Sequence, residues 1–168
     1  FVAKGQQPKD RVGYFPGCLT DYRLQEVGKA IIQVLNRSKV EVVVPTEFSC
    51  CGSPLLRAGL VDEARDNLVP KNVKILEDLG VHTILTGCPG CAMTIKHNYP
   101  ELIGRELKCE TLHVSQDWAE KTRLDTVNMK PVSVKATFHN PCHLNRGMNA
   151  PNSLRNVLTT IPGVNVVD

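Results

Sequence analysis

Cysteine placement constrains this chain more than any other feature. Five of its seven cysteines fall in three groups: Cys18, then 31 residues, Cys50-Cys51, then 36 residues, Cys88-Pro89-Gly90-Cys91. Each group follows directly on an apolar, β-branched run: Val12-Gly13-Tyr14-Phe15, Val40-Glu41-Val42-Val43-Val44 and Val81-His82-Thr83-Ile84-Leu85. Such runs read as strands. Helix-length amphipathic stretches, 21–37 and 60–79, separate them. The first turns Val27, Ile31, Val34 and Leu35 toward a sheet; the second does the same with Leu60, Ala64, Leu68, Val73, Ile75, Leu76 and Leu79. Gly80 stops the second helix and Pro70 should kink or divide it.

The pattern is therefore β-α-β-α-β: an α/β fold with a parallel, Rossmann-like sheet and right-handed crossovers. Loops leaving the carboxyl ends of such strands open on one edge, where open α/β sheets bind ligands. Five thiols distant in sequence would meet there. Thiolate is a soft ligand that selects zinc, copper(I) or iron–sulfur clusters. Structural zinc takes four ligands, and adjacent Cys50 and Cys51 turn poorly toward one small ion. A polynuclear centre uses all five more naturally. Pro16-Gly17, Gly52 and Gly90 let backbone approach a bulky core. Pro89 suits the first position of a helix over 90–99, whose N-terminal amides would face an anionic cluster.

With Tyr14-Phe15-Pro16-Gly17-Cys18 in front of Cys50-Cys51-Gly52 and Cys88-x-x-Cys91, the sequence resembles the cysteine-rich CCG domain. That domain occurs in the B and D subunits of heterodisulfide reductase and in the B subunit of thiol:fumarate reductase. It also occurs in iron–sulfur subunits of glycolate oxidase and anaerobic glycerol-3-phosphate dehydrogenase. The resemblance implies that Cys18, Cys50, Cys51, Cys88 and Cys91 hold a non-cubane 4Fe-4S cluster. It also implies electron transfer in thiol/disulfide chemistry, with ferredoxin-type or flavoprotein partners and, as substrates, thiol coenzymes or their mixed disulfide.

Alternatives stay open. Zinc on four of the five thiols would make a structural domain, and Cys88-Pro89-Gly90-Cys91 opening a helix is also how a thioredoxin-like dithiol is written. The chain could equally serve a flavin-dependent 2-hydroxy acid or glycerol-3-phosphate dehydrogenase as its electron-transfer subunit. No Gly-rich dinucleotide fingerprint is present, so flavin or nicotinamide would sit on a partner.

Composition limits the rest. In 168 residues, 42% are hydrophobic but only 5% aromatic, so small aliphatic side chains fill the core. A net charge of +3 without basic runs argues against nucleic acid. No apolar span of about 18 residues and no signal pattern occur, so a cytoplasmic protein is expected, meeting a membrane only through a partner. Seven cysteines without export signals favour metal chemistry over disulfides.

Four segments are expected: a linker arm over 1–10, the complete CCG domain over 11–118, a connection over 119–131, and the truncated start of a second repeat over 132–168. An offset of 124 residues carries Cys18 onto Cys142, and Val40, Val42 and Val43 onto Val164, Val166 and Val167, with a helix over 151–160 between them. A strand is expected over Leu107–Val114, carrying Cys109 and His113 on one face, either as weak metal ligands or, more simply, with a buried structural thiol. Trp118 reads as core, and Arg57 and Arg65 as a solvated helix face. His139, Cys142 and His143 could make a cramped zinc site. His139, His143 and Tyr14 share the cysteine edge and are the candidates for a general acid.

Overall fold

The computed structural model describes residue 1 and residues 7–121 and 123–167. In chain order the elements are β1 (Asp10–Tyr14), α1 (Cys18–Tyr22), α2 (Gln25–Arg37), β2 (Val40–Val43) and α3 (Ser53–Arg57). Next come α4 (Val61–Glu63), a π-turn (Ala64–Leu68), α5 (Val69–Asp78), β3 (Thr83–Thr86), α6 (Pro89–Met93), a second π-turn (Thr94–Asn98) and α7 (Tyr99–Ile103). Then follow β4 (Glu110–His113), α8 (Val114–Glu120) and a 3₁₀ turn (Arg123–Thr126). The chain closes with β5 (Val134–Ala136), a π-turn (His143–Gly147), α9 (Ser153–Thr159) and β6 (Val164–Val166). Half of the expected linker arm, residues 2–6, lies outside the described residues.

Four strands form one parallel sheet in the order β2-β1-β3-β4, the Rossmann-like architecture the strand–helix alternation implies. Its two faces are buried against different helices. On one face Val12, Tyr14, Val42, Leu85 and Leu112 meet Ile31 and Leu35 of α2 and Val114 of α8. On the other, Phe15 and Ile84 meet Val69, Val73 and Leu76 of α5 and Ile95 and Tyr99 of the α6–α7 stretch. Gly13 lies between those layers: a Cβ there would come 2.5 Å from Ile84 Cδ1 and 2.9 Å from Leu79 Cδ1.

The helices differ from expectation in instructive ways. Val27 is 49% exposed, because α2 packs through Gly28, Ile31 and Leu35 instead. Gly28 is the contact point; a Cβ would stand 2.9 Å from Thr20 Cγ2. Leu60 is 52% exposed, since it lies in the turn before α4, its N–H bonded to Leu55 O at 2.9 Å. Pro70 does not break its helix: the π-turn that ends two residues before it joins α4 to α5 without a gap. Pro100 has the same relation to Thr94–Asn98, so the helix expected to stop near residue 99 runs on to Ile103. A proline lacks the N–H that an α-turn requires, and widening the preceding turn accommodates it without ending the helix.

The last segment forms a separate two-stranded parallel pair, β5–β6. Its register, Val134↔Val164 through Ala136↔Val166, is that of Asp10↔Val40 through Val12↔Val42 displaced by 124 residues. The His143–Gly147 turn packs on α6, with Leu144 and Met148 against Ala92 and Met93. Among the described residues no helix is long and apolar enough to cross a membrane.

Gly13→Ala is expected to force Ile84 and Leu79 off their packed positions and to lower stability by about 1–3 kcal/mol, measured by denaturant unfolding.

Candidate functional site

In the strand order β2-β1-β3-β4 the chain leaves β1 for one side and returns across it to β3. The carboxyl ends of β1 and β3 flank this switch point, where open α/β sheets have their binding crevice. The Cys18 and Cys88 groups leave those two ends.

Cys18 opens α1 after the Pro16-Gly17 turn. Gly17 has φ 74°, and a Cβ on it would stand 3.0 Å from Cys91 Sγ and 3.9 Å from Cys88 Cβ. Backbone there therefore runs directly over the third cysteine group. Cys88 is the N-cap of α6, with Pro89 at its first position as expected. The N–H groups of Gly90 and Cys91 donate to the Cys88 sulfur. Cys50-Cys51 end the long loop after β2, and Gly52, at φ 86°, turns the chain into α3. The N–H of Gly52 donates to the Cys50 sulfur and that of Ser53 to Cys51.

The five thiols form one run of hydrogen-bonded neighbours: Cys18 with Cys50, Cys50 with Cys51, Cys51 with Cys91, and Cys91 with Cys88. The Cys91 thiol sits between Cys51 and Cys88 and holds its proton beside both sulfurs, so it is pushed far up. The same contacts bring Cys51 down to about 7 and Cys88 down to about 6. Burial, with the neighbouring Cys51 and Cys18 charges, lifts Cys50 to about 11. Exposure grades along the run: Cys18 is exposed, Cys50 and Cys88 are half-buried, and Cys51 and Cys91 are 3% and 4% exposed. Phe15, Phe48 and Leu68 are apolar neighbours in the cluster that holds Cys51 and Cys91. Cys88 and Cys91 are not an isolated dithiol, because Cys51 shares Cys91 with Cys88. Among the described residues, no three His, Cys, Asp or Glu side chains are grouped to hold one metal ion.

The other candidates fall outside the run. Cys109 precedes β4 and lies in the core with Val73 and Leu76, where burial pushes it up to about 11. Its expected strand partner His113 is engaged elsewhere: Nε2 lies 3.1 Å from Gly87 O, and Nδ1 accepts from the Ser115 N–H at 3.2 Å. Cys142 and His139 are exposed, and among the described residues no zinc site forms there. His143 does reach the edge: its ring lies beside Gly90 and Cys88 and contacts the Arg57 guanidinium. Arg65 pairs with Asp62 and Asp66 on the solvent side. Tyr14 is 1% exposed with an unpartnered hydroxyl, and burial lifts it to about 12. Trp118 packs at the edge of the α2-side core.

Two buried polar residues hold the cysteine loops: Asn72, which sequence reasoning missed, and His113, whose role it misassigned. Asn72 of α5 bonds the Ser49–Cys50 backbone and Tyr99. His113 caps α8 in a capping box with Gln116 and fixes the loop before Cys88 through Gly87. Each left a signal: Asn72 interrupts the apolar stripe of Val69, Val73 and Leu76, and His113-x-x-Gln116 has capping-box spacing.

The chain is similar to several known proteins. The family profile described as "Cysteine-rich domain" (CCG) matches residues 12–96. The chain is 44% identical over 164 residues to the B subunit of the CoM/CoB fumarate reductase of Methanothermobacter marburgensis, covering 98% of this chain and 32% of that protein. It is 39% identical to an uncharacterised iron–sulfur protein of Methanocaldococcus jannaschii, covering 97% and 32%. It is 35% identical to the D subunit of the dihydromethanophenazine:CoB–CoM heterodisulfide reductase of Methanosarcina barkeri, covering 96% and 41%. The chain thus spans well under half the length of these relatives. With the profile spanning just over half of its residues and the thiol groups gathered at one sheet edge, the chain belongs to the CCG cysteine-rich domain family.

Proposed function

We propose that Cys18, Cys50, Cys51, Cys88 and Cys91 hold an iron–sulfur cluster of the non-cubane 4Fe-4S type, and that the chain is an electron-transfer unit of a larger redox complex. The observation that carries this reading is the single run of five neighbouring thiols gathered at the sheet edge. The residues present fit such a group. All five donors are soft thiols. Gly17 leaves the space that a Cβ would take from Cys91. Backbone N–H groups of Gly52, Ser53, Gly90 and Cys91 already point at three of the sulfurs. Zinc is the weaker reading, because structural zinc takes four ligands and five thiols stand together here.

The bound cluster would supply one-electron chemistry. The chain's own part is to hold the sulfurs rigidly, to stabilise their negative charge with amide donors, and to keep water off Cys51 and Cys91. Cys18, the exposed member, is the side from which a partner or substrate approaches. Relatives named as fumarate reductase (CoM/CoB) and CoB–CoM heterodisulfide reductase subunits support a role in thiol/disulfide redox chemistry; ferredoxin-type or flavoprotein units are the partners we propose for it. The segment from 132 onward is the start of a second unit of the same kind, as the repeated register suggests.

Anaerobically prepared protein is expected to be brown and to contain about four iron and four sulfide per chain. Serine at any of the five positions should lower iron content sharply, whereas Cys109→Ala should leave it unchanged. One colourless zinc per chain, or full iron in the five variants, would overturn the assignment. Chelation of the metal should bleach the visible absorption and lower the melting temperature, because binding free energy adds to folding. Gly17→Ala, forced into a backbone region that only glycine occupies freely, should cost about 1–3 kcal/mol and reduce iron uptake.

A further inference from the structure

Asn72 has no exposed surface, yet every hydrogen-bonding group of its side chain is used. Nδ2 donates to Cys50 O at 2.9 Å and to the Tyr99 hydroxyl at 2.9 Å. Oδ1 accepts from the Ser49 N–H and the Ser49 hydroxyl, both at 3.3 Å. Its neighbours on the buried stripe are Val69, Val73 and Leu76, and a leucine would pack there without the penalty of burying an amide. Asparagine is also a poorer helix former than leucine. The position therefore gains from what the amide binds rather than from packing.

What it binds is the backbone on both sides of the first residue of the cysteine pair. Holding the Ser49 N–H and the Cys50 C=O fixes the chain direction through Cys50, and with it the direction of the Cys50 side chain. The same carbonyl belongs to the peptide that leads into Cys51. Tyr99, itself fully buried, anchors the amide from the α6–α7 side. The α5 helix and the helix that starts at the Cys88–Cys91 group are thus joined at the point that aims Cys50.

We propose that Asn72 is a positioning residue that aims Cys50 and Cys51 into the common site through the Ser49–Cys50 backbone. This rests on the reading that these thiols act together as cluster ligands, but its geometry can be tested without metal. In the metal-free, reduced full chain, alkylation of individual cysteines by iodoacetamide is followed by mass spectrometry. Asn72→Leu and Asn72→Asp, both close in shape to asparagine, remove the donor to Cys50 O. Alkylation of Cys50 should then rise about tenfold relative to Cys142, the effect of one strong net hydrogen bond. Tyr99→Phe leaves that donor in place but frees the amide to turn, and should raise the rate about threefold.

In iron-loaded protein the Asn72 variants should also show an altered EPR signature at wild-type Tyr99. Folded Asn72→Leu with wild-type Cys50 alkylation and an unchanged signature would overturn the proposal. Should both Asn72 variants fail to fold, a wild-type alkylation rate in Tyr99→Phe overturns it and a raised rate supports it. If the wild-type chain takes up no iron, the cluster reading falls, while the alkylation rates still decide the role of Asn72.

Discussion

Adjacency of the carboxyl ends of β1 and β3 is the constraint on which the rest of this molecule depends. Parallel strands need crossovers, and right-handed crossovers on opposite sides of β1 leave one gap in the sheet edge where two loops diverge. The loops bearing Cys18 and Cys88 are those two, and the long loop after β2 brings Cys50-Cys51 to meet them. Thiols more than 30 residues apart thereby become neighbours without any covalent link.

Packing carries that adjacency into the site. The α5-side core does not stop short of the sulfurs; Cys51 and Cys91 belong to the same apolar cluster as Val73, Leu76, Ile84 and Ile95. Their environment is therefore as tightly specified as any core position. Polar control enters at two places only a residue or two from the ligating candidates, Asn72 at Cys50 and His113 at Gly87. His113 also extends outward: Ser115 bonds Ser153 Oγ at 2.8 Å and Gln116 donates to Met148 O at 3.2 Å. The segment carrying β5 and α9 is thereby seated on the same loop framework that holds Cys88.

Much of this was legible in the sequence, and the reasons are local. Val12 to Phe15 and Val40 to Val44 announce strands because β-branched and aromatic residues gather there, and the cysteines that follow mark the ends. The 124-residue offset matches the β5–β6 register residue for residue. What stayed hidden depends on partners far along the chain. Val27 and Gly28 both stand at helical spacing from Ile31, and the nearness of Thr20 is what places the glycine inward. Pro70 and Pro100 read as breaks, because the π-turns that absorb them have no composition of their own. His139 and His143 read alike as edge residues. The packing of Leu144 and Met148 on α6 brings His143 to the thiols and leaves His139 in solvent, a distinction that no spacing rule encodes.

The graded exposure of the five thiols sets an order of failure. Oxidants in solution attack sulfur according to its thiolate character and its accessibility. Cys18 stands in water, whereas Cys51 and Cys91 lie beneath aromatic and aliphatic cover. Damage would enter at the outer sulfurs, Cys18 and the half-buried, acidified Cys88, and travel inward, so Cys51 and Cys91 outlast them and keep most of the pocket's shape. A sulfenic acid or disulfide confined to that rim is one a thiol reductant can still reach and undo.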